Sequence, residues 1–126
     1  MLRCVLAFAA AFLLALPATA QVQRNFPQTA LRGAIVFGTA PEIAVNGQPA
    51  RLAPGSRIRD AGNMLLVPSA AHGGKFLVHY TVDTSGLVKD VWILTPEEAA
   101  RKPWPTRPEE AQAWGFDPIA QVWVKP

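Results

Sequence analysis

Phe76-Leu77-Val78-His79-Tyr80-Thr81-Val82, then Asp83-Thr84-Ser85-Gly86, then Leu87-Val88-Lys89-Asp90-Val91-Trp92-Ile93-Leu94 is the stretch that decides the fold. Phe76, Val78, Tyr80 and Val82 recur at every second position, the spacing at which side chains return to the same face of a strand. Leu77, His79 and Thr81 fall on the opposite, outward face. The Asp-Thr-Ser-Gly stretch supplies side-chain acceptors and a residue free to take a positive φ, so the two runs read as strands of a hairpin.

The same pattern extends towards the N-terminus. Leu31, Ile35 and Phe37 share one side of a run that Gly38-Thr39-Ala40-Pro41 ends. Ile43 and Val45 resume the alternation, and Asn46-Gly47 is the pair best suited to the two positive φ values of a type I′ hairpin turn. In the return strand, Gln48 to Leu52, Pro49 donates no ladder hydrogen bond and belongs at an edge or a start. Pro54-Gly55 reads as a second turn, leading to Ser56-Arg57-Ile58-Arg59, and Asp60-Ala61-Gly62-Asn63 as a third. Met64-Leu65-Leu66-Val67 is an unbroken apolar run, the signature of a strand covered on both sides. Six or seven short strands separated by turns predict a mostly β fold, a small barrel or sandwich, over 31–95.

After the strands, Thr95-Pro96-Glu97-Glu98 carries the signs of a helix start: an N-cap threonine, a proline where no N–H is needed, and a glutamate that closes a capping box. Pro103 and Pro105 limit that helix to about one turn. Thr106-Arg107-Pro108-Glu109 repeats the signature. The region 96–126 therefore reads as short helices and an aromatic tail bearing Trp104, Trp114, Phe116 and Trp123.

At the other end, Met1-Leu2-Arg3, the apolar run Val5 to Leu16 and Ala18-Thr19-Ala20 match a cleavable signal peptide over 1–20. The run is too short for a helix across a bilayer, so after cleavage nothing spans the membrane. The segment 21–30, polar and unperiodic, reads as a loose N-terminal arm. Cleavage removes Cys4, the only cysteine, and with it every thiol-based nucleophile, redox pair or thiolate metal site. It also removes Arg3, lowering the formal charge from +3 to +2, too small an excess to indicate nucleic acid.

Pro41-Glu42-Ile43-Ala44-Val45-Asn46-Gly47-Gln48-Pro49-Ala50-Arg51-Leu52, Pro54 to Asp60 and Gly86 to Glu98 resemble a group of small exported bacterial proteins of uncharacterised function, over residues 26–104. The resemblance implies export and a shared fold and carries no activity. Val78 to Leu94 is also similar to the hairpin of an energy-transducing domain that contacts outer-membrane receptors, without that family's flanking helix.

Three constellations bear on chemistry. His72 and His79 are the only histidines, with Asp60, Asp83 and Asp90 the nearby carboxylates, and no metal-binding spacing joins them. His72-Gly73-Gly74 resembles an oxyanion-hole loop, yet the nucleophile elbow is missing and Ser56, Ser69 and Ser85 sit in turns. Arg57 and Arg59, two apart on one strand, and Arg51, placed on a neighbouring strand across the Pro54-Gly55 turn, form a candidate anion-binding face. Glu97-Glu98 and Glu109-Glu110 stand at helix starts, where negative charge complements the dipole.

The sequence thus predicts a non-enzymatic module of the periplasm or the secreted fraction, without cofactor or metal, that binds or assists an envelope protein partner. Arg51, Arg57, Arg59, Trp104, Trp114 and Trp123 are its binding candidates. The tryptophans have two readings, a lid on their own domain or anchors for a partner. The alternatives are a small hydrolase using His72 or His79 and an anion-binding barrel using the arginines.

Overall fold

A computed structural model describes residues 23–126; the signal peptide expected over 1–20 lies outside them. Six strands form one sheet: β1 (Leu31–Phe37), β2 (Glu42–Val45), β3 (Gln48–Arg59), β4 (Leu65–Leu66), β5 (Lys75–Val82) and β6 (Val88–Ile93). The order β2-β1-β5-β6-β3 closes on itself through a β2–β3 pairing, giving a five-stranded barrel, and β4 is added outside on β3. All pairings are antiparallel except β3 with β6.

Closure depends on β3, which is twelve residues long. Its first part pairs with β2, and its last part lies between β6 and β4. The sequence signal at Pro54-Gly55 is real but has a different meaning. Gly55 takes φ +74° inside the strand, where the β3–β6 register shifts between Leu52 and Arg57. The pair bends one strand as a bulge instead of joining two, so Arg51 lies on the same strand as Arg57 and Arg59.

The turn at Asn46-Gly47 forms as read, with φ of 52° and 80° joining Val45 to Gln48. Asn46 ties this turn to β1, its Oδ1 accepting from the Ala34 N–H at 2.9 Å and its own N–H donating to the Ala34 carbonyl at 2.8 Å. A Cβ on Gly33 would stand 3.0 Å from the Tyr80 ring and 3.1 Å from the Asn46 amide, so a larger residue would fit only if these side chains gave way by a few tenths of an ångström. The β5–β6 turn also forms as read, with Asp83 Oδ1 accepting from the Ser85 and Leu87 N–H groups at 2.8 and 2.9 Å.

Two rows of side chains cross the barrel wall. Leu31, Tyr80, Val91, Ile58 and Leu66 are register neighbours facing inward. They join Ile35, Phe37, Ile43, Leu52, Val78 and Val88 in one core. Each large side chain buried there contributes about 1.5–3 kcal/mol of transfer free energy. The second row faces outward: Arg32, His79, Trp92, Arg59 and Leu65.

A second layer covers the first half of that outer row. The arm read as loose is in fact an extended strap, with Arg24, Phe26 and Ala30 buried and Gln23 and Asn25 exposed. Over it folds the chain after β6: α1 (Pro96–Ala99), α2 (Pro108–Ala113), β7 (Gly115–Asp117) and β8 (Val122–Val124). The last two form a hairpin that the helix-start signals did not announce. The capping box at Thr95 and Glu98 is present, but the second signature does not cap. The N-cap there is Arg107, and Thr106 bonds Glu110 instead. Phe26, Ala30, Trp104 and Trp123 are the buried centre of this second core, with Trp92, Trp114 and Phe116 packed on it.

Met64 to Val67 departs most from its reading. Only Leu66 turns towards the core; Met64, Leu65 and Val67 are 68%, 66% and 64% exposed. A four-residue apolar run has no period of its own to report how many sides are covered, and here the sheet ends at β4 with nothing beyond it.

Candidate functional site

The outer layer is organised around two buried guanidinium groups. Arg24 from the strap donates from Nε to Glu98 Oε2 at 2.9 Å, from Nη1 to the Asp60 carbonyl at 2.9 Å and from Nη2 to the Ile93 carbonyl at 2.7 Å, and closes a second bond to Glu98 Oε1. Glu98 is held by its own helix start as well: its Oε1 accepts from the Thr95 N–H at 2.9 Å while Thr95 Oγ1 accepts from the Glu98 N–H at 3.2 Å. Burial pushes the Glu98 carboxyl up, but the Arg24 hydrogen bond and the Thr95 N–H outweigh it and leave the pKa below its ordinary value.

Arg32 of β1 satisfies the end of α1, donating to the Glu98 carbonyl at 2.9 Å and the Arg101 carbonyl at 2.8 Å. These acceptors lie where the carbonyl dipoles of a helix point, so a cation is favourable there. The same side chain donates from Nε to His79 Nε2 at 3.2 Å.

His79 does lie on the outward face of its strand, as the alternation required, but it is 1% exposed. The Trp104 ring stacks on it at 4.0 Å between centroids, and Phe26 meets it edge-on at 4.4 Å. Burial, then the charges of Arg32 and Arg24, press its pKa down to about 2, so the imidazole is neutral. Nε2 accepts from Arg32, which places the ring proton on Nδ1, a buried atom with no hydrogen-bond partner among the described residues. His79 therefore serves as a structural acceptor, closed to solvent. His72 is exposed after the 3₁₀ turn Pro68–Ala71 at the far end of β5. The two histidines of the hydrolase reading are thus in different environments, and neither bonds a serine hydroxyl among the described residues.

The aromatic candidates divide likewise. Trp104 and Trp123 are buried in their own chain, Trp104 donating from Nε1 to the Ala30 carbonyl at 3.0 Å, so they form the lid of the two alternatives. Trp114 is half-buried against Trp123, with the Lys125 ammonium 5.2 Å from its ring. Gln121, which no sequence signal marked, fixes strap to tail: its Oε1 accepts from the Phe26 N–H at 2.9 Å and its Nε2 donates to the Pro118 carbonyl at 2.9 Å. Position 121 has φ +55°, and a glutamine completing a backbone pairing has no sequence pattern of its own.

The arginine face is smaller than its three candidates. Arg51, at the other end of the bent β3, pairs with Glu42 at 3.1 Å in a contact exposed on both sides and worth little. Arg57 lies beside Asp90, and Arg59 lies between Trp92 and Leu65. Among the described residues neither guanidinium makes an ion pair. They adjoin the exposed Met64, Leu65 and Val67. Next to these, the Asp60–Asn63 turn borders a cavity of about 460 Å³, whose walls include Gln23, Arg24 and Arg101.

The β4 edge has open backbone positions as well. Asp60 N–H donates to the Met64 carbonyl, so the alternation of an antiparallel pair turns the Leu65 N–H and carbonyl away from β3. Apolar side chains, two cations and an open strand edge therefore coincide on the part of the outer row that the second layer leaves bare. Among the described residues no group of three or more metal-ligating side chains occurs, and no helix is long and apolar enough to cross a membrane. No family model, characterised protein or solved structure matches the chain.

Proposed function

We propose that the mature chain is a non-enzymatic exported module that binds another component of the cell envelope through the surface around β4. The observation that carries this reading is the exposure of Met64, Leu65 and Val67 together at the free edge of the sheet. Exposed apolar side chains gathered in one place on a small protein mark an interaction surface, and an open strand edge accepts backbone hydrogen bonds. Arg57 and Arg59 give that surface a positive rim.

Two further features support binding over catalysis. The tryptophans are used in covering the barrel, and Met64, Leu65 and Val67 are more exposed than Val36, Leu77 and Val82, the large apolar side chains uncovered on its other strands. The buried imidazole is engaged by Arg32 and closed off by Trp104, away from any substrate. Site-specific photocross-linking tests the reading: a photoreactive side chain at Leu65 should capture a discrete envelope component, whereas the same group at Lys89, exposed on β6, should not. Equal labelling from both positions would count against a localised binding surface.

A further inference from the structure

We propose that the strap and the tail form an acid-sensitive latch over the barrel, released when the imidazole of His79 takes a proton. The case rests on where that ring sits. It is enclosed by four elements, each with a named group against it. β1 brings Arg32, which donates to Nε2; β6 brings Trp92 as its register neighbour; the strap brings Phe26; and the tail brings Trp104.

The buried charged groups of this layer are Arg32 from β1, Arg24 from the strap and Glu98 from α1. The Glu98 carboxylate is already bonded by Arg24 and by the Thr95 N–H. A proton arriving at Nε2 meets a guanidinium N–H where the lone pair had been. It breaks that hydrogen bond and sets two cations face to face out of water, with the buried carboxylate of this layer, Glu98, already held by Arg24. Hydration relieves this, and the way for water to enter is for Phe26 and Trp104 to lift.

The two-core construction makes such a release local. The barrel core is held by Leu31, Ile35, Phe37, Ile58, Val78 and Val91, while the outer core is a separate cluster of Phe26, Ala30, Trp104 and Trp123. Strap and tail are joined by the Trp104–Ala30 and Gln121–Phe26 hydrogen bonds, so they leave together. Release uncovers Trp92 and the outer face of β5, in the row that continues into Arg59 and Leu65.

The direction follows from linkage. The closed form holds the imidazole neutral down to about 2, while an exposed imidazole takes its proton near 6.5. Below about pH 6.5 the closed-to-open ratio therefore falls by up to tenfold per pH unit, and above it the ratio is constant. Carboxylates stay ionised down to about pH 5, so the window from 7 to 5 isolates the histidine.

Hydrogen exchange of the intact mature protein, corrected for the intrinsic pH dependence of exchange, tests the latch across that window. Protection of amides in 23–30 and 96–126 should fall by roughly tenfold per pH unit below 6.5 and stay below that of Val78 and Val91, which exchange only when the barrel core unfolds. The variant His79→Gln, which retains an acceptor for Arg32 and takes no proton, should remove the slope; His72→Gln should leave it unchanged. If His79→Gln does not fold, the His79 ring resonance of the wild-type protein gives the answer. Titration near pH 6.5 with no loss of outer-layer protection overturns the proposal, as does outer-layer protection equal to that of Val78 and Val91 across the window, which would mean that strap and tail open only with the barrel.

Discussion

Replacing Glu98 with glutamine should destabilise the protein by about 3 kcal/mol, because it removes a charge and little else. Glutamine matches glutamate in size, keeps an oxygen for the Thr95 N–H and is itself acceptable at the third position of a capping box. What it cannot do is neutralise Arg24, whose side chain is only 7% exposed, as against 10% for Glu98. Removing one partner of a buried pair costs about 3–5 kcal/mol. The lower figure applies because Arg24 keeps its bonds to the Asp60 and Ile93 carbonyls. With a urea m-value of about 1–1.5 kcal/mol per molar for a chain of this size, the unfolding midpoint should fall by about 2–3 M with m unchanged. Arg24→Met combined with Glu98→Met should be more stable than Glu98→Gln alone, since no uncompensated charge is left buried. A midpoint within about 0.5 M of wild type for Glu98→Gln would refute the account of the outer layer as held by this pair.

Gly47→Val should cost about 1 kcal/mol or more in thermal or urea unfolding, because position 47 has φ +80° and a β-branched residue is strained there even though space is open around it. Global stability should be flat above about pH 6.5 and fall by up to about 1.4 kcal/mol per pH unit on acidification, as His79, whose folded pKa is depressed below its unfolded value, binds its proton only on exposure. The Glu98 contribution is present above the ordinary carboxylate range and is lost below it, so both groups act in the same direction, and a stability that rises on acidification would contradict both. His72→Ala should shift stability by no more than about 0.5 kcal/mol and leave partner capture intact, since His72 is exposed and held only through its backbone.

The legible parts of this fold are those whose causes are local. Asn46-Gly47, Asp83 to Gly86 and Thr95 to Glu98 each complete their hydrogen bonds within a few residues, so their identity shows in a short window. Pro54-Gly55 misled because a turn and a bulge make the same demand, a residue with positive φ beside one without an N–H. Only the partners on either side, β2 and then β6, distinguish them. The strap was opaque for a different reason. Arg24 is buried through Glu98, 74 residues away, and polar composition reads as solvent exposure until such a partner is placed. His79 followed the period of its strand correctly, but alternation reports which face of the barrel a side chain occupies and not whether a second layer lies on it. Of the arginine candidates, Arg57 and Arg59 lie beside β4 and Arg51 does not, while Met64, Leu65 and Val67, expected to be covered, are exposed.

The central claim, binding through the β4 surface, is tested most directly by comparing the affinity of the cross-linked partner for the wild-type protein and for Met64→Ser/Leu65→Ser/Val67→Ser. All three side chains are already exposed, so the triple variant should unfold at the wild-type temperature within a few degrees. The account predicts that its affinity falls by at least about tenfold, equivalent to about 1.4 kcal/mol, with a further loss when Arg57 and Arg59 are also replaced. Unchanged affinity in a folded triple variant would contradict it and place the interaction elsewhere on the molecule.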